Sequence, residues 1–430
     1  MESIWNQDIK KCIFTPLEGD IKTDVLVIGG GLCGILCAYM LQKSGVACVL
    51  VEADRLCAGI TNGTTAKITW QHGLVYHKIM KQYGVETAQL YYQSQKNAFD
   101  ELTKMASSSN AGLEFCPSFV YSLNDRKAIE QEAFALNKIG CSAEFCEKTE
   151  LPFPIAGAVM IENQAQFHPL KFAYGIAKDI TIYENTKVLE LKTNTAITNK
   201  GTISAKTIIV ATHFPFINKH GGYFLKLYQH RSYVLALQNA PQIKGMYVDE
   251  AKDGLSFREF QDLLLLGGGS HRTGAKGGNW AELTEFAKSY YPEAHEVGRW
   301  ATQDCMTLDS IPYIGQYSKS TPGLYVATGF NKWGMTSSMV AAMLLRDVVC
   351  GRKNEYEEVY SPSRTVLHPQ LAVNIFESVK GLLTPTVPRC PHLGCALKYN
   401  KAEHSWDCPC HGSRFDKNGK LINNPATDDQ

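Results

Sequence analysis

The chain has 430 residues, 44% of them hydrophobic, which is enough to bury the cores of about two or three domains. Its formal net charge is +1 and 20% of its residues are charged, so composition gives no argument for a nucleic acid, an acidic partner or a membrane surface. There is no apolar run of about 18 residues and no signal-peptide core, so we expect a cytoplasmic protein without a transmembrane segment.

A glycine-rich turn between two apolar strands is the first predicted element. The apolar run 25–28 leads into Gly29–Gly34, which has the spacing G-x-G-x-x-G. A helical pattern over 35–44 and a second strand over 47–51 follow, and Glu52 ends that strand. This order of strand, turn, helix, strand and acid predicts a dinucleotide-binding unit.

The glycines, the helix start and the acid of this unit each have a physical role. Gly29 makes the tight turn, Gly31 lets the backbone approach the pyrophosphate, and Gly34 lets the helix pack closely. The helix N-terminus faces the phosphates, and Glu52 can accept hydrogen bonds from ribose hydroxyls. The predicted nucleotide-binding residues of this unit are Gly29, Gly31, Leu32, Cys33, Gly34, Glu52, Ala53 and Arg55.

The loop that follows, residues 55–67, resembles the loop after the second strand in flavoproteins of the D-amino-acid oxidase/glycine oxidase superfamily. In that family small and hydroxylated residues run past the FAD pyrophosphate towards the ring, and Thr64, Thr65 and Ala66 are the counterparts here. The resemblance therefore implies that the cofactor is FAD.

Three later segments extend the resemblance to residues 20–350. Val188 matches a strand whose backbone touches the adenine, and the strand 207–212 matches one that closes the FAD half, with His213 where the family has glycine. The turn 329–336 matches a strand–glycine–helix start that lies against the flavin N1/O2 edge. The FAD contacts implied by these segments are Val188, Ala211, Thr212, Gly329, Trp333, Gly334, Met335 and Thr336.

The resemblance implies an α/β fold with an α+β substrate region. An FAD-binding Rossmann-like domain is expected over about 20–75, 155–215 and 305–350, and it is interleaved with an antiparallel substrate domain over about 76–154 and 216–304. Within the substrate domain, the pattern predicts a helix over 80–105 and strands over 225–237 and 256–267. Residues 267–269 are interpreted as a strand-end turn, with a second phosphate loop as the alternative.

Three arginines near the predicted strands are candidates for binding a substrate carboxylate, because related amino-acid oxidases use a bidentate arginine clamp. Arg231 and Arg258 are the catalytic candidates, and Arg272 is a further one; a surface or structural role is the competing interpretation for each. Lys67 and His72 are further candidates.

Residues 351–388 carry proline and polar punctuation, which predicts a linker. A free coil of this length would hold its ends about 35 Å apart.

A Cys-x-His and a Cys-x-x-His near the C-terminus predict a metal centre. Cys390 and Cys408 would hold one iron as thiolates, and His392 and His411 would hold the other as neutral imidazoles, which is the ligand pattern of a Rieske [2Fe–2S] cluster. A zinc site is the competing interpretation, but zinc usually uses paired C-x-x-C, which is absent.

The strings CPHLGC and CPCHGS resemble the two cluster-binding boxes of Rieske proteins of the cytochrome bc type. The resemblance implies a disulfide between Cys395 and Cys410 and a hydrogen bond from Ser413 to a bridging sulfide. Phe415 stands where the family often has a tyrosine, so we expect a lower reduction potential than in bc-type proteins. Residues 389–430 are thus predicted to form a minimal, β-rich Rieske domain.

Together these features predict an FAD-dependent oxidoreductase, a dehydrogenase or oxidase, that oxidises an amine or amino acid. Electrons would pass from FAD to the cluster and then to an external acceptor protein that the sequence does not identify. Two alternatives stay open: an O₂-using oxidase with a structural or sensing cluster, and a redox carrier or sensor without an organic substrate.

Overall fold

The computed structural model describes residues 2–7, 9–385 and 388–430. In chain order the strands are β1 Ile21–Ile28, β2 Cys48–Val51, β3 Lys67–Ile68, β4 Glu114–Ser122, β5 Glu144–Cys146, β6 Gly157–Gln166, β7 Ile182–Tyr183, β8 Val188–Lys192, β9 Thr195–Thr198, β10 Thr202–Val210, β11 Leu227–Gln238, β12 Met246–Asp249, β13 Ser256–Phe260, β14 Leu263–Arg272, β15 His295–Thr307, β16 Tyr313–Gln316, β17 Leu324–Thr328, β18 Lys398–Asn400, β19 Ser405–Asp407, β20 Arg414–Asp416 and β21 Leu421–Asn423.

The α-helices are α1 Leu32–Lys43, α2 Ile60–Gly63, α3 Val75–Tyr83, α4 Val85–Ser107, α5 Arg126–Lys138, α6 Pro169–Ala177, α7 Tyr223–Lys226, α8 Trp280–Tyr290, α9 Gly334–Val349, α10 Glu357–Tyr360 and α11 Pro369–Leu383. Among the described residues, no helix is both long enough and apolar enough to cross a membrane.

The first sheet has eight strands in the order β16-β17-β10-β1-β2-β7, and the hairpin β8–β9 pairs with β10. β1 is parallel to both β2 and β10, and all of Val25–Ile28 is buried. A strand covered on both faces needs such a continuous apolar run. Helices α1 and α9 pack against each other over this sheet, so both helices begin close to the ends of its strands.

The second sheet has nine strands in the order β15-β11-β14-β13-β12-β4-β6-β3, and β5 pairs with β6. Its pairings are antiparallel except for β12 with β4. The predicted strand 256–267 is divided into β13 and β14 by a turn in which Gln261 has a φ of 57°. The predicted helix 80–105 is likewise divided into α3 and α4, because the chain passes through Gly84 with a φ of 91°.

The interpretation of residues 267–269 as a turn or a phosphate loop is wrong. They lie inside β14, which continues to Arg272. A Cβ on Gly267 would stand 2.6 Å from the Ser256 hydroxyl, and Gly269 has a φ of 61° beside a bulge in the β11–β14 ladder. Small residues are needed here because neighbouring chain lies close, not because an anion binds.

The C-terminal unit is a four-stranded antiparallel meander, β18-β19-β20-β21. The segment predicted as a linker is not a coil between residues 369 and 383, because α11 occupies that range. Before α11 the predicted linker is fixed to the preceding part of the chain, since Arg364 forms an ion pair with Asp309 at 2.6 Å. At the other end of α11, a Cβ on Gly381 would stand 2.6 Å from the Cys410 sulfur, so this helix packs directly on the cluster loops.

Candidate functional site

A cavity of about 800 Å³ opens where the first sheet, the second sheet and the C-terminal meander meet. It brings together most of the sequence-predicted cofactor residues, namely Gly29, Gly31, Leu32, Cys33, Glu52, Ala53, Thr64, Thr65, Val188, Ala211, Thr212, Gly329, Trp333, Gly334 and Met335. Residues 421–424, 426 and 427 of the meander line the same cavity.

Close backbone approach explains two of the turn glycines. A Cβ on Gly29 would stand 2.6 Å from the Ala211 carbonyl oxygen, and one on Gly34 would stand 1.9 Å from the Gly29 carbonyl oxygen. A Cβ on Gly31 would meet only the Thr61 hydroxyl, at 3.4 Å, so Gly31 leaves the cavity wall open. α1 then begins at Leu32, whose N–H donates to the Thr61 hydroxyl at 3.0 Å, and the N-cap residue Gly31 has no side chain to shield the helix N-terminus from a pyrophosphate.

Glu52 is fixed at the end of β2 by backbone donors. Its carboxylate accepts hydrogen bonds from the N–H groups of Gly30 (2.6 Å) and Asp54 (3.0 Å). Burial raises the pKa of Glu52, and these N–H groups oppose that shift. The side chain lines the cavity, so its oxygens suit the hydroxyls of a ribose. The open helix N-terminus and the Glu52 carboxylate therefore fit the pyrophosphate and the ribose of FAD.

Four predicted cofactor residues do not line the cavity. Gly34 packs beneath the turn, and Arg55 forms an ion pair with buried Glu184 at 3.0 Å. Ala66 is fully buried, and the Thr336 hydroxyl donates to the Thr69 carbonyl at 3.1 Å. These four residues lie behind the residues that line the cavity.

The prediction that Arg231 or Arg258 binds a substrate carboxylate stays a prediction; both guanidinium groups have protein partners in this structure, and Arg231 also lines the cavity. Arg258 is 1% exposed and donates to the carbonyls of Thr65 and Ala66, the latter at 3.0 Å. Arg231 forms an ion pair with Glu403 of the meander, with Nε 2.8 Å from Oε1. Arg258 thus supports the FAD loop, and Arg231 joins the two domains.

The two further candidates differ in environment. His72 stacks on Trp333 at 5.1 Å and lies 2.7 Å from the Tyr91 hydroxyl, and burial lowers its pKa to about 3, so it is a neutral packing residue. Lys67 lines the cavity and donates to the Thr65 hydroxyl at 3.1 Å. Burial and the nearby Arg258 lower the pKa of Lys67 to about 7.

Asp304 and Lys332 are cavity residues that the sequence reasoning missed. Both line the cavity, and Lys332 donates to the Ser270 hydroxyl at 2.7 Å. Burial raises the pKa of Asp304 to about 6 and lowers the pKa of Lys332. The one sequence signal for Lys332 is its place inside the glycine-bounded turn before α9, whereas Asp304 lies on β15 with no motif around it.

The four predicted cluster ligands converge at the tips of two loops. Cys390 and Cys408 are free thiols, each 1% exposed, and the rings of His392 and His411 lie 4.9 Å apart. Cys395 and Cys410 form the disulfide that the resemblance implies. This disulfide also disfavours a zinc site, since the sulfurs of Cys395, Cys408 and Cys410 lie within 4.8 Å of one another and two of them are bonded together.

Cys390 and both histidines favour the protonation state that iron needs, whereas the Cys390 thiol and burial raise the pKa of Cys408. The Cys408 thiol and backbone N–H groups lower the pKa of Cys390 to about 7, and burial lowers the pKa of His392 to about 4 and that of His411 to about 3. Nδ1 of His392 and both nitrogens of His411 are buried without a hydrogen-bond partner in the described part of the chain. Orphaned nitrogens beside two thiols fit a Rieske cluster.

Two residues around the ligands bear on the potential. Ser413 is fully buried, its hydroxyl contacts the Cys390 sulfur, and it accepts a hydrogen bond from the Ala426 N–H at 3.0 Å. Phe415 is fully buried in the same small core and offers no hydroxyl.

The cavity and the cluster loops are joined by direct contacts. The Asn424 amide donates to the carbonyls of Thr212 (2.6 Å) and Phe214 (2.8 Å). Asn424 and Thr212 both line the cavity, and Phe214 packs near the rings of His392 and His411. The two sites thus share one short stretch of chain.

Comparison with known proteins gives two adjoining family matches. Residues 24–348 match the model of the FAD dependent oxidoreductase family, and residues 348–430 match the Rieske [2Fe-2S] domain. The predicted FAD-binding fold with a small β-rich Rieske domain is confirmed, as is the resemblance on which it rested.

Individual relatives cover different parts of the chain. The YhfW protein of Bacillus subtilis (strain 168), whose name gives a Rieske 2Fe-2S iron-sulfur protein, is 34% identical over 99% of this chain and 96% of its own. Gamma-glutamylputrescine oxidoreductase of Escherichia coli (strain K12) is 23% identical over 80% of this chain and 87% of its own. Glycine oxidase from Geobacillus kaustophilus superposes with a TM-score of 0.67 at 19% identity, over 80% of this chain and 99% of its own, which shows the shared fold.

Proposed function

The chain belongs to the FAD dependent oxidoreductase family, with FAD and a Rieske [2Fe–2S] cluster as cofactors, and from this premise we propose that it oxidises an amine or amino acid and sends the electrons singly through the cluster to an external acceptor protein. The observation that carries this proposal is the shared cavity wall, to which both the glycine turn and residues 421–427 contribute. A cluster kept only for structure would have no need to adjoin the flavin site.

The proposed reaction is the oxidation of an amine to an imine, followed by hydrolysis. The substrate carbon loses a hydride and its nitrogen loses a proton, which leaves an imine that water hydrolyses to a carbonyl compound and ammonia or a smaller amine. FAD, when bound, takes the electron pair, and the cluster carries one electron at a time. Two equivalents of a one-electron acceptor complete each turnover.

Charged side chains in the cavity support an amino-group-bearing substrate. The Asp304 carboxylate offers a partner for a substrate ammonium group, and the Lys332 ammonium offers one for a carboxylate or carbonyl. Burial raises the pKa of Asp304 and lowers the pKa of Lys332, which disfavours the ionised form of each, so a bound partner of opposite charge would stabilise that form. Gamma-glutamylputrescine oxidoreductase and glycine oxidase are named for substrates with an amino group, in agreement with this class.

The cofactor and ligand sites are part of the proposal. FAD would be held by the cavity residues given above, and the cluster by Cys390, His392, Cys408 and His411.

Anaerobic addition of amines and amino acids to the purified protein tests the function. Flavin bleaching followed by the EPR signal of a reduced cluster is the expected result, and Cys408→Ser should bleach without that signal. Rapid peroxide formation in air that is insensitive to Cys408→Ser would favour an O₂-using oxidase. Reduction by NADH or a partner flavoprotein, without bleaching by any organic compound, would favour a redox carrier.

A further inference from the structure

Four consecutive carbonyl groups of the second cluster loop accept hydrogen bonds from side chains of the flavin domain. Arg272 donates from Nε to the Pro409 carbonyl and from Nη2 to the Cys410 carbonyl, both at 3.0 Å. Gln229 donates to the His411 carbonyl at 2.8 Å, and Gln303 donates to the Gly412 carbonyl at 2.9 Å. Each of the four residues of this loop is therefore hydrogen-bonded to the flavin domain through its backbone carbonyl.

The three donors come from neighbouring strands of one sheet. Gln229 is on β11, and the flanking strands β14 and β15 supply Arg272 and Gln303. Because their Cα positions lie within one register step of His230, the three side chains form a single patch. A strand scaffold holds such a constellation more precisely than a loop does.

The two amides in this patch are locked by other partners. Gln229 Oε1 accepts from Gln303 Nε2 at 2.6 Å, and Gln303 Oε1 accepts from the Thr273 hydroxyl at 3.0 Å. Both glutamines are at most 1% exposed. Since each acceptor oxygen is already used, each NH₂ group is directed at the cluster loop.

The fit between the loop and the patch leaves no room for side chains. A Cβ on Gly412 would stand 2.6 Å from Gln229 Cβ, and one on Gly274 would stand 2.7 Å from the Pro409 nitrogen. Contacts this tight belong to a packed interface, not to a transient encounter.

The imidazole edges also lie against the flavin domain. His392 Nε2 is 2.8 Å from Asn218 Oδ1. The His411 ring is 2% exposed and lies between Phe214 and Phe224, at 6.4 Å and 6.2 Å. The cluster's histidine side is thus covered by the segment that follows β10.

Arg272 brings a positive charge to this interface, where Glu377 acts on it only at longer range. Among the described residues it has no carboxylate within ion-pair distance, and its remaining nitrogen donates to Asn374 Oδ1 at 2.9 Å. Its two carbonyl partners, Pro409 and Cys410, lie between the ligands Cys408 and His411. A nearby cation in a poorly solvated site stabilises the more negative, reduced state of a cluster.

We propose that Gln229, Arg272 and Gln303 are positioning residues that hold the Rieske cluster in a fixed seat on the flavin domain, and that the charge of Arg272 raises the cluster's reduction potential. The proposal rests on the cluster being the one-electron relay of the proposed function. Held in this position, the cluster would accept electrons from the flavin without any movement of the Rieske domain.

The charge is tested by an EPR-monitored redox titration of loaded protein, with dithionite and mediators. Arg272→Gln should lower the midpoint potential by about 59 mV, which is a tenfold change in the one-electron equilibrium. Arg272→Lys keeps the charge and should stay within a third of that shift. Arg299→Gln is the matched control, since Arg299 lies on the same sheet and pairs with Glu296 away from the cluster.

Two kinds of result would contradict the proposed effect of the Arg272 charge. An unchanged potential in Arg272→Gln at parental iron and sulfide content would refute the role of the charge. Equal shifts in the glutamine and lysine variants, or loss of the cluster from both, would reduce Arg272 to a structural residue.

The seat is tested by the Gln229→Leu/Gln303→Leu double variant. Transfer from photoreduced flavin to the cluster, followed by stopped flow or flash absorption, should slow at least tenfold at unchanged iron content. Gln238→Leu on the same strand β11 is the control, because Gln238 pairs with Asp262 at the far end. A parental rate and EPR line shape in the double variant would overturn the fixed seat. Dithionite titration needs no substrate, so a failed amine assay leaves the potential measurement valid.

Discussion

The carboxyl group of Asp304 titrates within the range in which an enzyme can be assayed. Its pKa is raised to about 6 by burial, so its charged form prevails only above that pH. If it binds a substrate ammonium group, KM for a cationic amine should fall as the pH rises through 6. Asp304→Asn should abolish this dependence and raise KM about tenfold, the value of one modest charged contact.

Steady-state kinetics from pH 5 to 8 with an amine substrate and an artificial electron acceptor measure this effect. Asp262→Asn is the control, because Asp262 is an exposed carboxylate in the turn between β13 and β14. A variant that keeps the parental pH profile would show that Asp304 does not bind the amino group.

The turn glycines allow a second prediction at the scale of single atoms. In Gly34→Ala the new Cβ would overlap the Gly29 carbonyl oxygen at 1.9 Å, so α1 must move away from the turn. The variant should therefore be purified with little or no FAD, as measured by the ratio of flavin to protein absorbance. Parental flavin content would contradict the close packing of α1.

Gly175→Ala is the matched control for that change. Gly175 is exposed within α6, and its new Cβ would meet no atom within 4 Å. This variant should keep its flavin and gain roughly 0.5–1 kcal/mol in the free energy of unfolding, because alanine loses less backbone entropy in a helix.

At the scale of elements, the β18–β19 hairpin is attached to β11 through one carboxylate. Glu403 accepts from Arg231 at 2.8 Å and from Arg414 at 2.9 Å. Burial alone would raise the pKa of Glu403, but the hydrogen bonds and charges of the two arginines lower it to about 2. Glu403→Gln should lower the free energy of unfolding by about 3 kcal/mol, because the buried guanidinium groups of Arg231 and Arg414 lose the carboxylate that they share.

Denaturant unfolding at several pH values checks this prediction. The folded-state pKa lies below the usual value of about 4.3, so the contribution is complete above that pH and is lost as the pH falls towards 2. The difference in the free energy of unfolding between the parent and Glu403→Gln should disappear over this pH interval. Glu296→Gln, in an ion pair that is about one-third exposed, should change stability by less than about 1 kcal/mol. A gap that persists at pH 2 would contradict the assignment.

Elements with a local signal were predictable from sequence, and those set by distant contacts were not. β1, the glycine turn and α1 follow from spacing within about thirty residues, which is why that unit was recognised. α11 was missed because prolines and polar residues flank it and its buried positions are the small or polar Asn374 and Gly381. The glycines of β14 were misread because their cause lies in Ser256 and Gly278, on other segments of the chain.

At the scale of the whole molecule, flavin and cluster halves should unfold together. They share a cavity, a buried ion pair and the carbonyl contacts of the cluster loop. A single calorimetric transition is therefore expected, and Cys408→Ser, which removes a proposed cluster ligand, should lower both its midpoint and the temperature of flavin release.

Cys350→Ser is the control, because Cys350 is a free thiol that caps the end of α9. Two separate transitions, with flavin release at the parental temperature in Cys408→Ser, would mean that the halves are energetically independent.

The site as a whole shows the same limit of sequence reasoning. The proposed cluster ligands lie within 22 residues, and cluster chemistry restricts which side chains can serve, so a sequence pattern alone is enough to propose them. Gln229, Arg272 and Gln303 reach the loop from more than 100 positions away, and only the sheet brings them together. The ion pair of Arg231 could not be predicted for the same reason, because its partner Glu403 lies 172 positions later.

The placement of residues 421–427 over the nucleotide cavity also bears on how the mature enzyme is made. The glycine turn leaves the ribosome long before the segment that closes the cavity, so an incoming dinucleotide first meets an open groove. Asn424, which donates to the Thr212 carbonyl in the cavity wall, is expected to act as a latch that slows entry and escape of the dinucleotide. Holoenzyme should therefore exchange its bound nucleotide slowly, and late reconstitution of apoenzyme should be limited by the latch and not by diffusion.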